Sequence, residues 1–320
     1  MSKVTVVGAG AWGTALALQA VRAGHSVALV TRTVDAAAAI SQNHKNDRLP
    51  GVRIPDSVTV TDQLPDTSDL LVWVVPTQHL RVSLLKLQPP AGGIVICAKG
   101  VEVGTHMLPL EVASDVAGDR PLAVLSGPNF AHEIAAGLPA ATVVASVNAD
   151  LRELARAAFG TNTFRLYGND DPIGAQLGGA AKNVIAIAAG TVIGAGLGEN
   201  ARAALVTRGL SELCRLAVAL GGRAETMVGL SGLGDLMLTC TGMSSRNFSL
   251  GFALGQGKSL DAVLAGRTGV TEGVATAAAL VARAGTVELP ICQTVADFLS
   301  GRKTLDQSIT QLMSRPQRDE

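Results

Sequence analysis

Over the first 170 residues, short apolar runs alternate with segments of helical spacing. Val4-Thr5-Val6-Val7 predicts a strand, and Thr14 to Val21 is a good helix former throughout, closed at Ala23-Gly24-His25 with Gly24 as the C-cap. A second strand follows at 26–32, a helix at 34–42, and a polar, proline-bounded loop at 43–55. Leu70-Leu71-Val72-Trp73-Val74-Val75 is a continuous apolar strand stopped by Pro76, with a helix at 79–87. Further strands are predicted at 94–100, 122–128, 141–146 and 164–167, with an amphipathic helix at 150–159. Strands that are apolar throughout, without alternation, are buried on both faces, which places them in a mostly parallel sheet covered by helices on each side.

The pattern changes at Asp170-Asp171-Pro172, beyond which no strand is predicted. Helical spacing runs over 173–196 and 200–220, the latter ended by Gly221-Gly222. Shorter helices are expected at 244–256, 259–265, 271–284, 290–299 and 304–313, and the tail 314–320 is expected to fray. The many Gly and Ala residues of the 173–196 helix run against intrinsic propensity and point to close helix packing. The expected organisation is a dinucleotide-binding domain over 1–172 and a helical substrate-binding domain over 173–320, with ligand in the cleft between them.

Composition narrows the function classes. Hydrophobic residues make up 48% of the 320 and charged residues 16%, and the 36 glycines are dispersed rather than periodic, so collagen-like and linker readings fail. Zero formal net charge argues against nucleic acid as the main partner. Cys97, Cys214, Cys240 and Cys292 lie far apart, and no histidine stands at ligand spacing from them, so buried reduced thiols are expected and a metal site is not. The glycine-rich stretch from Gly8 interrupts the N-terminal apolar run, against a secretion signal. The longest run of small apolar residues, 184–198, is shorter than the ~18 residues of a membrane span. A soluble cytoplasmic protein without stable membrane insertion is expected.

The first strand runs into Gly8-Ala9-Gly10-Ala11-Trp12-Gly13, a G-x-G-x-x-G loop that opens a helix. Gly8 suits the tight turn, Gly10 lets a pyrophosphate approach the backbone, and Gly13 lets helix pack on strand. Helix N-terminal amides and their partial positive charge then face the phosphates. Arg32 ends the second strand where an acid would bind the ribose 2′-hydroxyl of NAD. A guanidinium there suits a 2′-phosphate, so NADP(H) is favoured and NAD(H) possible; the bland alternative is a solvated surface arginine. Lys99, at the carboxyl end of a strand, is placed to meet an anion. Lys182 lies within an apolar helix, either snorkelling to water or held in a site where burial draws its pKa down toward acid–base range. Asp235, an acid among small and apolar residues, needs a partner, and a lysine would serve. Ser244-Ser245-Arg246-Asn247 reads as a helix start with a guanidinium in its first turn, an anion pocket.

With these pieces in order, the chain resembles the bacterial NAD(P)-dependent sn-glycerol-3-phosphate dehydrogenases. The likeness rests on the Gly8–Gly13 loop, Ala98-Lys99-Gly100, Ser126-Gly127-Pro128-Asn129-Phe130-Ala131, Ala181-Lys182-Asn183-Val184, Gly232-Leu233-Gly234-Asp235 with Ser245-Arg246-Asn247, and Thr271-Glu272-Gly273. The resemblance implies an α/β protein: a Rossmann-type, doubly wound, mostly parallel sheet followed by an all-α C-terminal domain. It implies hydride transfer between dihydroxyacetone phosphate and sn-glycerol 3-phosphate, feeding glycerophospholipid synthesis. By the same resemblance Ala11, Trp12, Arg32, Ala131, Val270 and Glu272 touch the cofactor, and Lys99 touches cofactor and substrate. Gly127, Asn129 and Asn183 line the substrate site, Lys182 is the general acid/base, and Asp235 and Thr239 support the reacting centre. Ser245, Arg246 and Asn247 bind the substrate phosphate or nearby cofactor groups. Asn129 stands where the family usually has Ser or Thr; its amide still donates a hydrogen bond, with altered geometry expected. Gly179-Ala180-Ala181 is smaller than usual there, which predicts looser packing. A homodimer through the helical domain is also an expectation. The competing readings are a hydroxyacid or phosphogluconate-type dehydrogenase of the same plan, and a redox-sensing module that binds NADP(H) without turnover.

Overall fold

The structure is a computed structural model that describes residues 1–267 and 269–314; the tail beyond Ser314 lies outside the described residues. The apolar runs form one eight-stranded sheet. Its strands are β1 (Lys3–Val7), β2 (Ser26–Val30), β3 (Val58–Thr61), β4 (Leu70–Trp73), β5 (Ile94–Ile96), β6 (Leu122–Ser126), β7 (Ala140–Ala145) and β8 (Phe164–Asn169). Their spatial order is β3-β2-β1-β4-β5-β6-β7-β8. The first six strands repeat the 3-2-1-4-5-6 order of doubly wound nucleotide-binding sheets, with the order reversing between β1 and β4. Every neighbouring pair is parallel except β6 and β7. That one reversal follows the short α5 (Ala131–Ala136), closed by Gly137 at φ +75°. The covering helices are α1 (Ala11–Arg22), α2 (Val34–Asn43), α3 (Thr77–Leu87), α4 (Pro109–Ala117) and α6 (Ala149–Phe159).

Three local departures from the sequence expectation have simple causes. The first helix begins at Ala11 rather than after Gly13, because Gly10 is its N-cap and the loop's last residues already carry helical hydrogen bonds such as Thr14 N–H to Gly10 O, 3.0 Å. Strand β5 stops at Ile96, short of the expected residue 100; Cys97 N–H still reaches Trp73 O at 2.8 Å, and Lys99 lies beyond the ladder. Strand β3 is a four-residue edge strand with one buried position, too short to stand out as a run.

The chain divides into two compact units, residues 1–99 with 108–176, and residues 100–107 with 177–320. The first unit's core is the sheet's apolar filling, Val6, Leu16, Leu29, Leu70, Val72 and Phe159 among it. After Asn169 the remaining elements are helical: α7 (Pro172–Gly194), α8 (Glu199–Ala219), α9 (Ala224–Met227), a π-helical turn at Leu230–Gly234, α10 (Asp235–Cys240), α11 (Arg246–Gly255), α12 (Leu260–Ala265), α13 (Glu272–Ala284), α14 (Pro290–Leu299) and α15 (Leu305–Met313).

The second unit is built on α7. Its glycines are where other backbones arrive. A β-carbon at Gly190 would lie 2.8 Å from Phe252 N, and one at Gly194 2.8 Å from Phe252 C. On the facing helix, a β-carbon at Gly251 would lie 2.8 Å from Ile187 C and 3.0 Å from its Cα. Helices α7 and α11 therefore cross backbone to backbone, which only glycine at these positions permits. Ala180 and Ala181 are fully buried in the same helix. By length and composition α7 could cross a membrane, but 83% of its most apolar 18-residue window is buried inside the protein, as in a core helix.

Candidate active site

In the first unit the loop after β1 has the geometry its glycines suggested. Gly8 adopts φ +112°, a region L side chains avoid, and continues the sheet by donating its N–H to Val30 O at 2.8 Å. A β-carbon on Gly13 would run into the carbonyl of Gly8, so this glycine brings α1 against the turn. Gly10 differs: a β-carbon there would meet nothing within 4 Å. It caps α1 without a side-chain hydrogen bond, and no acidic residue lies in the helix's first turn. Open space, a bare helix N-terminus and no competing carboxylate fit the pyrophosphate of a dinucleotide. The loop also lies beside the β1/β4 switch point, where such sheets bind ligands. Ala11 and Trp12 open α1 half-buried, and Arg32, just past β2, is exposed.

Beyond β5 and β6 the same unit gathers the lysine and the Gly-Pro turn. Lys99 Nζ donates to Gly127 O at 3.1 Å. Trp12 reaches the same neighbourhood through a hydrogen bond to Cys97, whose thiol is pushed up to about 12 by burial, with Lys99 and Trp12 opposing. Cys97 is thus inert rather than nucleophilic. Gly127 is required for space, since its β-carbon would stand 2.8 Å from Thr142 Oγ1 and 3.3 Å from Asn129 Nδ2. Asn129 Nδ2 makes only a long contact to Ala141 O, 3.5 Å, and its Oδ1 is buried without a partner. Ala131 is the first residue of α5 and packs on the sheet core.

In the second unit Lys182 forms a hydrogen-bonded ion pair with Asp235, their side chains 12% and 0% exposed. The pairing depends on backbone packing. Gly178, one turn before Lys182, admits the π-helical turn: its β-carbon would lie 3.0 Å from Gly232 Cα. That turn delivers Asp235 at the start of α10, and single π-turns of this kind occur often at functional sites. Thr239, one turn on, donates to Asp235 O at 2.6 Å and approaches Asp235 Oδ1 at 3.5 Å. A fully buried carboxylate bonded to a nearly buried ammonium holds that ammonium in one orientation. Cys240, beside this pair, is pushed up to about 12 chiefly by burial.

The crossing of α7 with α11 sets the neighbouring pieces. Asn247 Nδ2 donates to Asn183 Oδ1 at 2.8 Å, and Asn247 Oδ1 accepts from Gly273 N at 3.1 Å, joining α7, α11 and the start of α13. Ser245 caps α11, its Oγ accepting from Phe248 N at 3.2 Å. Arg246 follows, exposed, its guanidinium lying close to Gly269. Val270 is half-exposed, and Glu272 is the first residue of α13.

One residue here escaped the sequence reading. Arg267 donates from Nη1 to Arg246 O at 2.7 Å and from Nη2 to Ser249 Oγ at 3.0 Å. Burial, and then the charge of Arg246, lower it from its ordinary value. Arg267 thus adds a second positive charge beside the start of α11, which suits an anion there. Nothing in a lone loop arginine marks it in the sequence; only the fold brings it to Arg246.

A doubly wound sheet with a bare glycine loop, followed by a helical unit holding a buried lysine–aspartate pair next to an arginine-headed helix, defines a nucleotide-linked oxidoreductase. Residues 3–152 match the family described as NAD-dependent glycerol-3-phosphate dehydrogenase N-terminus, and residues 171–310 its C-terminus. The chain belongs to this NAD-dependent glycerol-3-phosphate dehydrogenase family. It is 51% identical to a glycerol-3-phosphate dehydrogenase, NAD(P)+, of Rhodospirillum rubrum, covering 99% of this chain and 93% of that protein. It is 54% identical to the enzyme of the same name from Acidiphilium cryptum, covering 98% and 97%. The crystal structure of glycerol-3-phosphate dehydrogenase from Coxiella burnetii superposes with a TM-score of 0.92 at 35% identity, covering 98% of this chain and 99% of that one.

Proposed function

We propose that this protein interconverts dihydroxyacetone phosphate and sn-glycerol 3-phosphate, with NADP(H) favoured and NAD(H) accepted. The observation that carries the reading is Lys182, held by a fully buried Asp235 and one residue from the Asn183–Asn247 link that leads to Arg246. A nicotinamide cofactor held by the glycine loop would supply or take up the hydride at the substrate's C2 carbon. In the reducing direction negative charge develops on the carbonyl oxygen, and Lys182 Nζ stabilises it and gives up a proton to it. In the oxidising direction the neutral amine takes the hydroxyl proton back. Asp235, steadied by Thr239, orients the ammonium. Arg246, with Ser245 and Asn247, anchors the remote phosphate, whose binding energy positions the reacting carbon. In the first unit Gly8, Gly10, Ala11, Trp12 and Gly13 hold the dinucleotide. Arg32 takes the ribose 2′-phosphate, and Lys99, Gly127 and Asn129 serve the cofactor and substrate there. Val270 and Glu272 are assigned to the cofactor in the second unit.

The reading also makes this a cytoplasmic enzyme supplying the glycerol phosphate used in phospholipid synthesis. The burial of α7 and the buried free thiols of Cys97, Cys240 and Cys292 support that location, while Cys214, expected to be buried, is only partly so. A homodimer through the helical unit, where Val218, Val228 and Met237 are exposed, belongs to the same proposal and is tested by sedimentation.

The test of activity is cofactor absorbance on adding dihydroxyacetone phosphate to purified protein with NADPH, then with NADH. Loss with both, faster with NADPH, is expected. A folded protein that binds NADPH but oxidises neither cofactor, or that turns over a 2-oxoacid instead, overturns the substrate assignment.

A further inference from the structure

The loop at 43–55 carries a residue with no assigned role. Asn46 is 7% exposed although it sits among exposed, charged neighbours, Lys45, Asp47 and Arg48. Its side chain is fully engaged, and across a long sequence separation. Nδ2 donates to Ala9 O at 3.0 Å and to Thr14 Oγ1 at 2.7 Å, while Oδ1 accepts from Arg48 N at 3.1 Å. Ala9 lies between the first two glycines of the loop, and Thr14 is in the first turns of α1. Gly8 and Gly10 leave that loop almost no side-chain restraint of its own.

We infer that Asn46 is a positioning residue for the cofactor's pyrophosphate, acting through the Ala9–Gly10 peptide and Thr14. The peptide unit is planar and trans, so its C=O and N–H point in opposite directions. Fixing Ala9 O on Asn46 aims Gly10 N–H the other way, away from the protein-side brace, at the glycine whose β-carbon position is open. The second bond, to Thr14, ties the same amide to α1, so loop and helix N-terminus are held as one unit. Donors that need no reorientation bind an anion more tightly than donors that must first be ordered. Besides the bond from Arg48 N to Oδ1, the segment bearing Asn46 has anchors of its own. Leu49 and Ile54 are buried in the sheet core, Leu49 N–H bonds to Asn46 O at 2.8 Å, and Ile54 N–H to His44 O at 2.8 Å. Removing the side-chain amide therefore releases the glycine loop and leaves the segment in place.

The inference rests on the dinucleotide reading of the glycine loop, and the experiment separates the two. NADPH and NADH are titrated by fluorescence into wild-type protein, Asn46→Ala, Asn46→Asp and Thr14→Val. Asn46→Ala is expected to weaken both cofactors about tenfold and by the same factor, because the pyrophosphate is common to both. The loss falls on cofactor Kd and KM rather than on kcat at saturating cofactor. Asn46→Asp keeps the shape and the Oδ1 acceptor but sets an oxygen against Ala9 O, so it is expected to bind at least as weakly as the alanine variant. Thr14→Val, which removes one of the two ties and keeps the volume, is expected to lose a smaller factor in the same direction, and it decides the matter if Asn46→Ala does not fold. Wild-type protein that binds neither cofactor overturns the dinucleotide reading itself. Wild-type binding with Asn46→Asp and Thr14→Val unchanged overturns the role of Asn46 alone. So does a loss confined to NADPH, which would place the effect at the ribose.

Discussion

Replacing Gly251 by alanine tests the helix crossing on which the second unit's site depends. Within an isolated helix the change is favourable, by about 1 kcal/mol from propensity. In this protein the new β-carbon would stand 2.8 Å from Ile187 C, about 0.6 Å inside the 3.4 Å where ordinary contact begins, and it would meet the Ile187 carbonyl oxygen more closely still. The obstacle is backbone, which cannot rotate aside, so α11 must move off α7 by on the order of 1 Å or the helices must bend. Overpacking of this kind costs about 1–3 kcal/mol and outweighs the propensity gain. The expected result is a lower Tm, by about 2–4 °C for each net kcal/mol lost. The same shift stretches the 2.8 Å bond between Asn247 and Asn183 beyond hydrogen-bonding range and displaces Arg246 from Lys182. A misplacement near 1 Å in a substrate-positioning group costs about 10²-fold in kcat/KM. Thermal melts and steady-state kinetics on Gly251→Ala read both effects. A Tm equal to or above wild type, with kcat/KM within about twofold, would refute the claim that these glycines exist for close approach.

The remaining expectations concern the ionisable groups. Lys182→Ala should lower kcat by about 10²-fold or more; because it strands the fully buried Asp235, it should also lower Tm. Adding Asp235→Asn should recover Tm without recovering kcat, and recovery of both would remove Lys182 from the acid–base role. Arg246→Ala should raise KM for dihydroxyacetone phosphate far more than for dihydroxyacetone, and equal loss with both ketones would contradict a phosphate anchor. Glu212, on α8, accepts the N–H groups of Ile291 at 2.7 Å and Cys292 at 3.3 Å and so caps α14 from outside. Burial raises its carboxyl above 4.5 despite those bonds and Arg215. A raised carboxyl binds its proton more tightly folded than unfolded, so its contribution is complete below 4.5 and is lost as pH rises through the raised value. Plotting Tm against pH for wild type and Glu212→Gln should show this loss in the wild type only.

The linear chain already carried seven of the sheet's eight strands; the short edge strand β3 was not legible in it. Continuous apolar runs ending in Pro76, Lys99 or the Gly127-Pro128 turn fit strands buried on both faces, and the spacing of Gly8, Gly10 and Gly13 between strand and helix is itself a local signal. The change at Asp170 to helical spacing, and Ser245 as a cap with Arg246 behind it, were equally local signals, since capping and periodicity act within a few residues. Local patterns could not supply partners. Gly178 and Gly232 sit 54 residues apart, yet their backbones touch, and that touch brings Asp235 to Lys182. The antiparallel turn of β7, the pairing of Arg267 with Arg246, and the brace from Asn46 to Ala9 are likewise absent from any window of sequence. Secondary structure follows from short-range sterics and burial, which composition and spacing encode directly. The site's geometry follows from which backbones can approach each other, and that is settled only when the whole core packs.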